Sequence, residues 1–144
     1  MEAKAIMETR NTKYCEAPVI FLAIFWAGGG PFTISDIIGA CDWVNHSIPD
    51  RAELEAALNL LLAVKLIERQ DDTFLIPKPR YLEFDDFRRK KRKDRFDTVH
   101  AFFDKLIYAD EAPAIIRLTE SEYKIHLKEY YGIFSRTMRD LKKK

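Results

Sequence analysis

Residues 33–77 have the sequence TISDIIGACDWVNHSIPDRAELEAALNLLLAVKLIERQDDTFLIP, in which apolar and polar positions alternate with a helical period. Thr33 with Asp36, and Asp50 with Glu53, have the spacing of a capping box, in which each of the two side chains satisfies a backbone N–H group at the start of a helix. Aliphatic residues follow each box at intervals of three and four, which is typical of a helix with one buried face. The stretch therefore predicts two helices joined by a turn.

The end of this stretch predicts a β-hairpin, because the apolar residues 66–67 and 73–76 flank an acidic turn at residues 71–72. Gly39 lies inside the first of the two predicted helices, where glycine costs about 1 kcal/mol relative to alanine. It therefore indicates a close crossing between the two helices. We predict that residues 33–77 form helix, turn, helix and hairpin around one core. Its aliphatic residues are Ile37, Leu54, Leu58 and Leu61.

A further helix is predicted before this stretch, over an apolar run at residues 17–27 that has no polar face. Pro18 suits the first turn of a helix, where its missing N–H group costs nothing, and residues 28–31 end the run with glycines and a proline. A helix that is apolar on every side must be covered on every side. We expect it to pack between the predicted core and either the C-terminal helices or a partner subunit. The run holds eleven residues, too few to cross a bilayer, and its flanks do not suit a signal peptide.

Composition predicts one compact unit, with a core in residues 1–78 and a helical extension in residues 79–144. The chain has 144 residues, 47% of them hydrophobic, which is enough for an ordinary core. Its two cysteines lack metal-site spacing and indicate a reducing, cytoplasmic environment. No nucleophile, phosphate loop, metal cluster or cofactor motif stands out, so we expect neither an enzyme nor a bound cofactor or metal.

The predicted order of elements resembles the winged helix-turn-helix superfamily over roughly a third of the chain. The resemblance implies a mainly α fold with a small β-hairpin, and DNA binding through the second helix of the motif and the hairpin. Such proteins are usually dimeric transcriptional regulators. The residues that carry the resemblance are Thr33, Ser35, Asp36, Ile37, Pro49, Glu53, Leu54, Ala57, Leu58, Leu61, Leu62, Lys65, Leu66 and Ile67.

Four polar residues are the candidates for contact with double-stranded DNA: Arg51, Glu55, Asn59 and Arg69. The helical period places the first three on the outward face, and arginine and asparagine suit guanine and adenine edges. Residues 33–77, however, hold eight acidic residues against three basic ones, and that charge repels phosphate. The alternative is therefore a winged-helix module that dimerises or binds proteins without binding DNA.

A basic run follows in a long helix predicted from Arg80 to about Tyr108. Seven of the eight residues 88–95 are basic and cover every side of that helix, so we expect them to stand clear of the core. They could contact a DNA backbone. The alternatives are a solvated segment that balances the acidic helices or contact with an acidic protein partner. The candidate residues are Arg88, Arg89, Lys90, Lys91, Arg92, Lys93 and Arg95.

The C-terminal segment predicts a short strand at residues 114–118 and then a third capping box, Thr119 with Glu122, which begins an amphipathic helix. An apolar stripe with the spacing of a coiled coil follows. It either packs on the chain's own first helix or forms the interface of a homodimer, and both can hold together. The candidate interface residues are Tyr123, Leu127, Tyr130, Phe134 and Leu141.

Overall fold

The computed structural model describes residues 17–91, 93–106 and 115–142, without the side chains of residues 137, 138 and 140–142. The described chain is mainly helical with one two-stranded antiparallel sheet, which confirms the predicted fold class. In chain order the elements are α1 (Ala17–Trp26), α2 (Ile34–Asn45), α3 (Arg51–Ala63), β1 (Glu68–Gln70), β2 (Thr73–Leu75), α4 (Lys78–Lys90), α5 (Arg95–Asp104) and α6 (Glu120–Lys142).

The helices α2 and α3 begin at the two predicted capping boxes. The Thr33 hydroxyl accepts from the Asp36 N–H group, and the Asp36 carboxylate accepts from the Thr33 N–H group. Asp50 and Glu53 make the same reciprocal pair at the start of α3. These bonds satisfy N–H groups that have no partner inside the helix, so they fix where each helix starts.

Helix α1 is the centre of the core, with residues 17–25 all buried. It packs against α2, α3 and α5 of the same chain. The Phe21 and Phe25 rings also meet Phe84 of α4 edge to face, at centroid distances of 5.3 and 4.8 Å. The chain's own helices therefore cover α1, and its apolar surface gives no reason for a partner subunit.

The predicted hairpin is present, with Arg69 opposite Phe74 in the register. Asp71 in its turn has a φ of 54°, in the left-handed region where aspartate is one of the better-tolerated residues. A single bridge from Phe32 to Phe74 adds a third piece of extended chain to the hairpin. That bridge ties the segment before α2 to the hairpin after α3.

The single long helix expected from residue 80 to residue 108 is wrong. Helix α4 ends at Lys90, and α5 starts again at Arg95, while residues 107–108 lie outside the described residues. The Asp94 side chain accepts a hydrogen bond from the Asp97 N–H group at 2.9 Å and caps α5. A cap inside the basic run therefore breaks the helix, and the two parts fold against each other.

Helix α6 packs mainly on α2, whereas one of the two alternatives from the sequence had placed it on the first helix. Its capping box, Thr119 with Glu122, is present as predicted. Gly39 supports a close crossing, but with α6 and not with α3: a Cβ atom on Gly39 would lie 2.9 Å from Cε1 of Tyr130. Within the described parts of the chain, no helix combines the length and the apolar character needed to cross a membrane.

Candidate interaction surfaces

The outward face of α3 is covered by residues 115–119, which we name the covering segment. The Asn59 amide pairs with the backbone of Ile116 twice: its Nδ2 donates to the carbonyl oxygen at 3.0 Å, and its Oδ1 accepts from the N–H group at 2.7 Å. Asn59 is only 6% exposed. Its hydrogen-bonding groups are thus committed to the chain's own backbone.

One turn earlier, two charged residues hold the next part of the covering segment. Glu55 Oε2 accepts from the Leu118 N–H group at 2.7 Å, and Arg51 donates to the Leu118 carbonyl oxygen at 3.0 Å. The Arg51 guanidinium also pairs with Glu55 at 3.3 Å and with Glu120 at 3.1 Å. A carboxylate therefore flanks Arg51 on either side.

The spacing of the polar residues on α3 matches the spacing of their partners in the covering segment. Four residues of a helix rise about 6 Å, and two residues of extended chain rise about 6.6 Å. Asn59 and Glu55, four residues apart on α3, thus meet Ile116 and Leu118, two residues apart in the covering segment. The Ile116 and Leu118 side chains are buried, whereas Ile115 and Arg117 point to solvent. The segment has the side-chain alternation of a strand, although it pairs with helix side chains.

This geometry corrects two expectations from the sequence. The prediction that Asn59 points outward is wrong, because the covering segment buries it. The short strand predicted at residues 114–118 is not a strand over residues 115–118, where the chain joins no sheet, and residue 114 lies outside the described residues. The fourth candidate, Arg69, lies on exposed β1, where it donates to the Asp71 carbonyl oxygen at 3.0 Å.

The basic run does not stand wholly clear of the core, contrary to expectation. The Arg88 guanidinium carbon lies 4.9 Å from the centroid of the Trp26 ring, and Arg95 donates to the Val44 carbonyl oxygen at 3.0 Å. Lys91 lies over the Phe87 ring. Arg89, Lys90, Lys91 and Lys93 are exposed, and Arg92 lies outside the described residues.

Carboxylates on α4 offset part of this positive charge. Asp85 pairs with Arg88 at 2.6 Å and with Arg89 at 3.1 Å, and Asp86 pairs with Lys90 at 3.0 Å. Burial alone would raise the pKa of the Asp85 carboxyl group, yet the hydrogen bonds and charges of Arg89 and Arg88 lower it below its ordinary value. Asp85 therefore stays ionised at neutral pH, and the positive field of the run is weaker than its composition suggests.

Three of the five candidate dimer residues pack within the chain. Tyr123, Leu127 and Tyr130 are partly buried against the core. The Tyr123 hydroxyl donates to the Pro49 carbonyl oxygen, and the Tyr130 hydroxyl donates to Asp42, both at 2.6 Å. Burial raises the pKa of the Tyr130 hydroxyl, and its bond to Asp42 and the charge of that carboxylate raise it further.

The C-terminal half of α6 differs from its N-terminal half. Residues 131–136 are all exposed, and they include the fourth candidate, Phe134, at 50%. The side chain of the fifth candidate, Leu141, lies outside the described residues. The predicted stripe is therefore intramolecular along its first half and open to solvent at Phe134.

An aromatic groove lies beside this open half, between α2 and α6, with a volume of about 1030 Å³. Gly39 and Ala40 line it as small residues. Trp43, at 79% exposure, is one of several large apolar side chains that line it and still face solvent. The large apolar residues of the aromatic groove are Trp26, Phe32, Trp43, Tyr130, Ile133 and Phe134.

Charged groups also line the aromatic groove, and those of α2 are acidic. Asp36 and Asp42 are the charged residues of α2, and both line the groove, whereas Arg95 is contributed by α5. Sequence reasoning missed this groove, since its walls come from four separate parts of the chain. The one available signal was the presence of two tryptophans, both of which line it.

No metal site accompanies these surfaces: among the described residues, no group of three His, Cys, Asp or Glu side chains could hold an ion. Comparison of the chain with protein-family models, curated proteins and solved structures finds no match.

Proposed function

We propose that this protein is a non-catalytic winged-helix interaction module of the cytoplasm, which binds a protein partner as a homodimer and does not read DNA bases with α3. The observation that carries the proposal is the covered face of α3. A winged helix that reads DNA inserts this face into the major groove. Here the Asn59 and Arg51 side chains form hydrogen bonds with the backbone of the covering segment.

Electrostatics support the same proposal. Glu55 and Glu120 flank Arg51, and the neighbouring hairpin carries the acidic residues Glu68, Asp71 and Asp72. Phosphate neutralisation supplies nearly all non-specific affinity for DNA, so an acidic docking surface opposes binding. The exposed aromatic groove, in contrast, has the apolar and aromatic character of protein interfaces.

A second candidate function is contact with nucleic-acid phosphates through the basic run, and the exposure of Arg89, Lys90, Lys91 and Lys93 favours it. If three or four of these side chains each neutralised a phosphate, the logarithm of affinity would fall with the logarithm of salt concentration with a slope of about −3 to −4. An acidic protein would meet the same side chains.

The test is a titration of the protein with random and designed duplex DNA at several salt concentrations. We expect no preference among sequences, and any binding at low salt should be lost when Arg89, Lys90, Lys91 and Lys93 are replaced by alanine. Binding that discriminates among sequences and weakens in Asn59→Ala would overturn the proposal. The matched control is Ala56→Ser, which changes an exposed residue of α3.

A further inference from the structure

The C-terminal half of α6 is an apolar helix surface that the described chain leaves uncovered. Tyr131, Ile133 and Phe134 are each about half exposed. Most helices in proteins are stabilised by packing of an apolar face. In this half of α6 the described chain covers that face only in part.

The uncovered surface continues a stripe that is buried elsewhere. Tyr123, Leu127 and Tyr130 pack on the core, and the same spacing of four and three continues through Phe134 and Leu141 in the sequence. Ile133 and Phe134 also form part of the wall of the aromatic groove. Helix α6 thus forms one edge of its own aromatic groove. It also carries an apolar surface that suits the aromatic groove of another copy.

Charge favours a second copy as the occupant. Residues 131–144 carry five basic residues and one acidic residue. The charged side chains that line the groove are Asp36, Asp42 and Arg95, which sum to one negative charge. The basic end of one α6 and the net acidic groove of another copy are therefore complementary, and such complementarity fixes the register of a complex.

Building on the homodimeric interaction module proposed above, we propose how its two copies associate: the C-terminal half of α6 from each of two copies lies in the aromatic groove of the other. The arrangement is two-fold symmetric, so that each copy gives and receives the same surface and the assembly closes at two chains. Ile133 and Phe134 of one copy then pack near Trp26 and Trp43 of its partner.

Intrinsic fluorescence reports on this seating without any label. Trp26 and Trp43 are the only two tryptophans of the chain, and both line the groove and are exposed. We expect their emission to shift to shorter wavelength as the protein concentration rises through the dimer dissociation constant. Sedimentation over the same concentrations should give the mass of two chains.

Variants on α2 and α6 distinguish this interface from other modes of pairing. Phe134→Glu should weaken the dimer at least about tenfold, as expected of a central aromatic side chain, and Trp43→Ala should do the same from the opposite wall. The matched control is Ile125→Glu, at a residue of α6 that is 58% exposed and does not line the groove. It should change the dissociation constant less than about twofold. Circular dichroism of each variant checks that the helices remain folded.

The outcomes distinguish this seating from the function on which it rests. A wild-type chain that stays monomeric at high micromolar concentration overturns both the seating and the homodimer of the proposed function. A dimer that resists Phe134→Glu and Trp43→Ala but dissociates in Ile125→Glu also overturns it, while the interaction module survives. Sequence-specific DNA binding by α3 overturns the module and leaves the dimer measurement as it was.

Discussion

The outward faces of α2 and α3 both receive the C-terminal part of the chain, and they receive it in opposite ways. On α3, Asn59 and Glu55 hold the backbone of an extended segment with hydrogen bonds of 2.7 to 3.0 Å. On α2, a helix packs through an aromatic ring over Gly39 and leaves the aromatic groove beside it. One face is closed by polar bonds, and the other stays partly open.

The difference shows that the residue types that read DNA bases are also those that hold an extended backbone. An asparagine amide offers a donor and an acceptor side by side, which match an adenine edge and equally match the N–H and C=O groups of one residue. Polar residues on an outward helix face therefore do not by themselves indicate a nucleic-acid surface. An exposed tryptophan beside a small-residue crossing carries more information about binding.

The largest expected effect comes from breaking the closed face. Asn59→Leu keeps the branching and the number of heavy atoms of the side chain but leaves the Ile116 N–H and C=O groups without partners, so we expect a loss of about 2–4 kcal/mol in the free energy of unfolding. Urea denaturation measures it, and hydrogen exchange at the Ile116 and Leu118 amides should accelerate. The control Ala56→Leu adds leucine at an exposed α3 position and should change stability by about 0.5 kcal/mol or less. A loss below about 1 kcal/mol would mean that the covering segment is held by other contacts.

On the open face, filling the crossing should cost less. Gly39→Ala would place a Cβ atom 2.9 Å from the Tyr130 ring, whose hydroxyl is fixed by Asp42. Overpacking lowers the free energy of unfolding by about 1–3 kcal/mol, and the higher helix propensity of alanine offsets up to about 1 kcal/mol of this loss. We expect a net loss of about 1–2 kcal/mol by urea denaturation. Unchanged stability would show that the ring moves aside freely.

A smaller effect concerns the hydroxyl that holds α6 on α2. Tyr130→Phe removes the bond to Asp42 and should cost about 1 kcal/mol at neutral pH. The folded protein raises the pKa of Tyr130, first through burial and then through Asp42, so the folded state favours the neutral phenol. This stabilisation is complete below the unfolded pKa of about 10 and is lost as pH rises above it.

Tyr130→Phe should therefore show a shallower fall in stability above about pH 10 than the wild type. Tyr123, whose pKa is also raised by burial and then by nearby carboxylates, keeps part of the dependence in both proteins. The control is Tyr131→Phe, which removes the smallest of the contributions that raise the pKa of Tyr130 and should alter the profile less than Tyr130→Phe does. Identical alkaline profiles for wild type and Tyr130→Phe would contradict the assignment.

The smallest effect has the opposite sign and tests the uncovered half of α6. A Cβ atom on Gly132 would meet nothing within 4 Å, so Gly132→Ala should stabilise the helix by about 0.5 kcal/mol through propensity alone. Thermal unfolding at sub-micromolar concentration measures it without a contribution from pairing. The same substitution at Gly39 is its matched counterpart. Destabilisation at Gly132 would reveal a contact that the described chain does not show.

Local signals in the sequence predicted the elements that depend on neighbouring residues. The capping boxes at Thr33, Asp50 and Thr119 join residues three apart, and the hairpin turn at residues 71–72 is equally local. The same kind of signal at Asp94 and Asp97 was present but hidden within the basic run, so the break between α4 and α5 was missed. Local bonds of this kind form wherever the residues occur, because they require only one turn of chain.

The sequence by itself determined that the chain is mainly helical with a small hairpin, that most of α1 is buried, and where α2, α3 and α6 begin. Only the tertiary structure decided that Asn59 is buried, because its partner lies 57 residues away at Ile116. It also decided that Gly39 meets α6, since Tyr130 reaches Asp42 across 88 residues. Helical period places a residue on a face, but which distant segment covers that face depends on the packing of the whole chain, and the spacing of residues does not encode it.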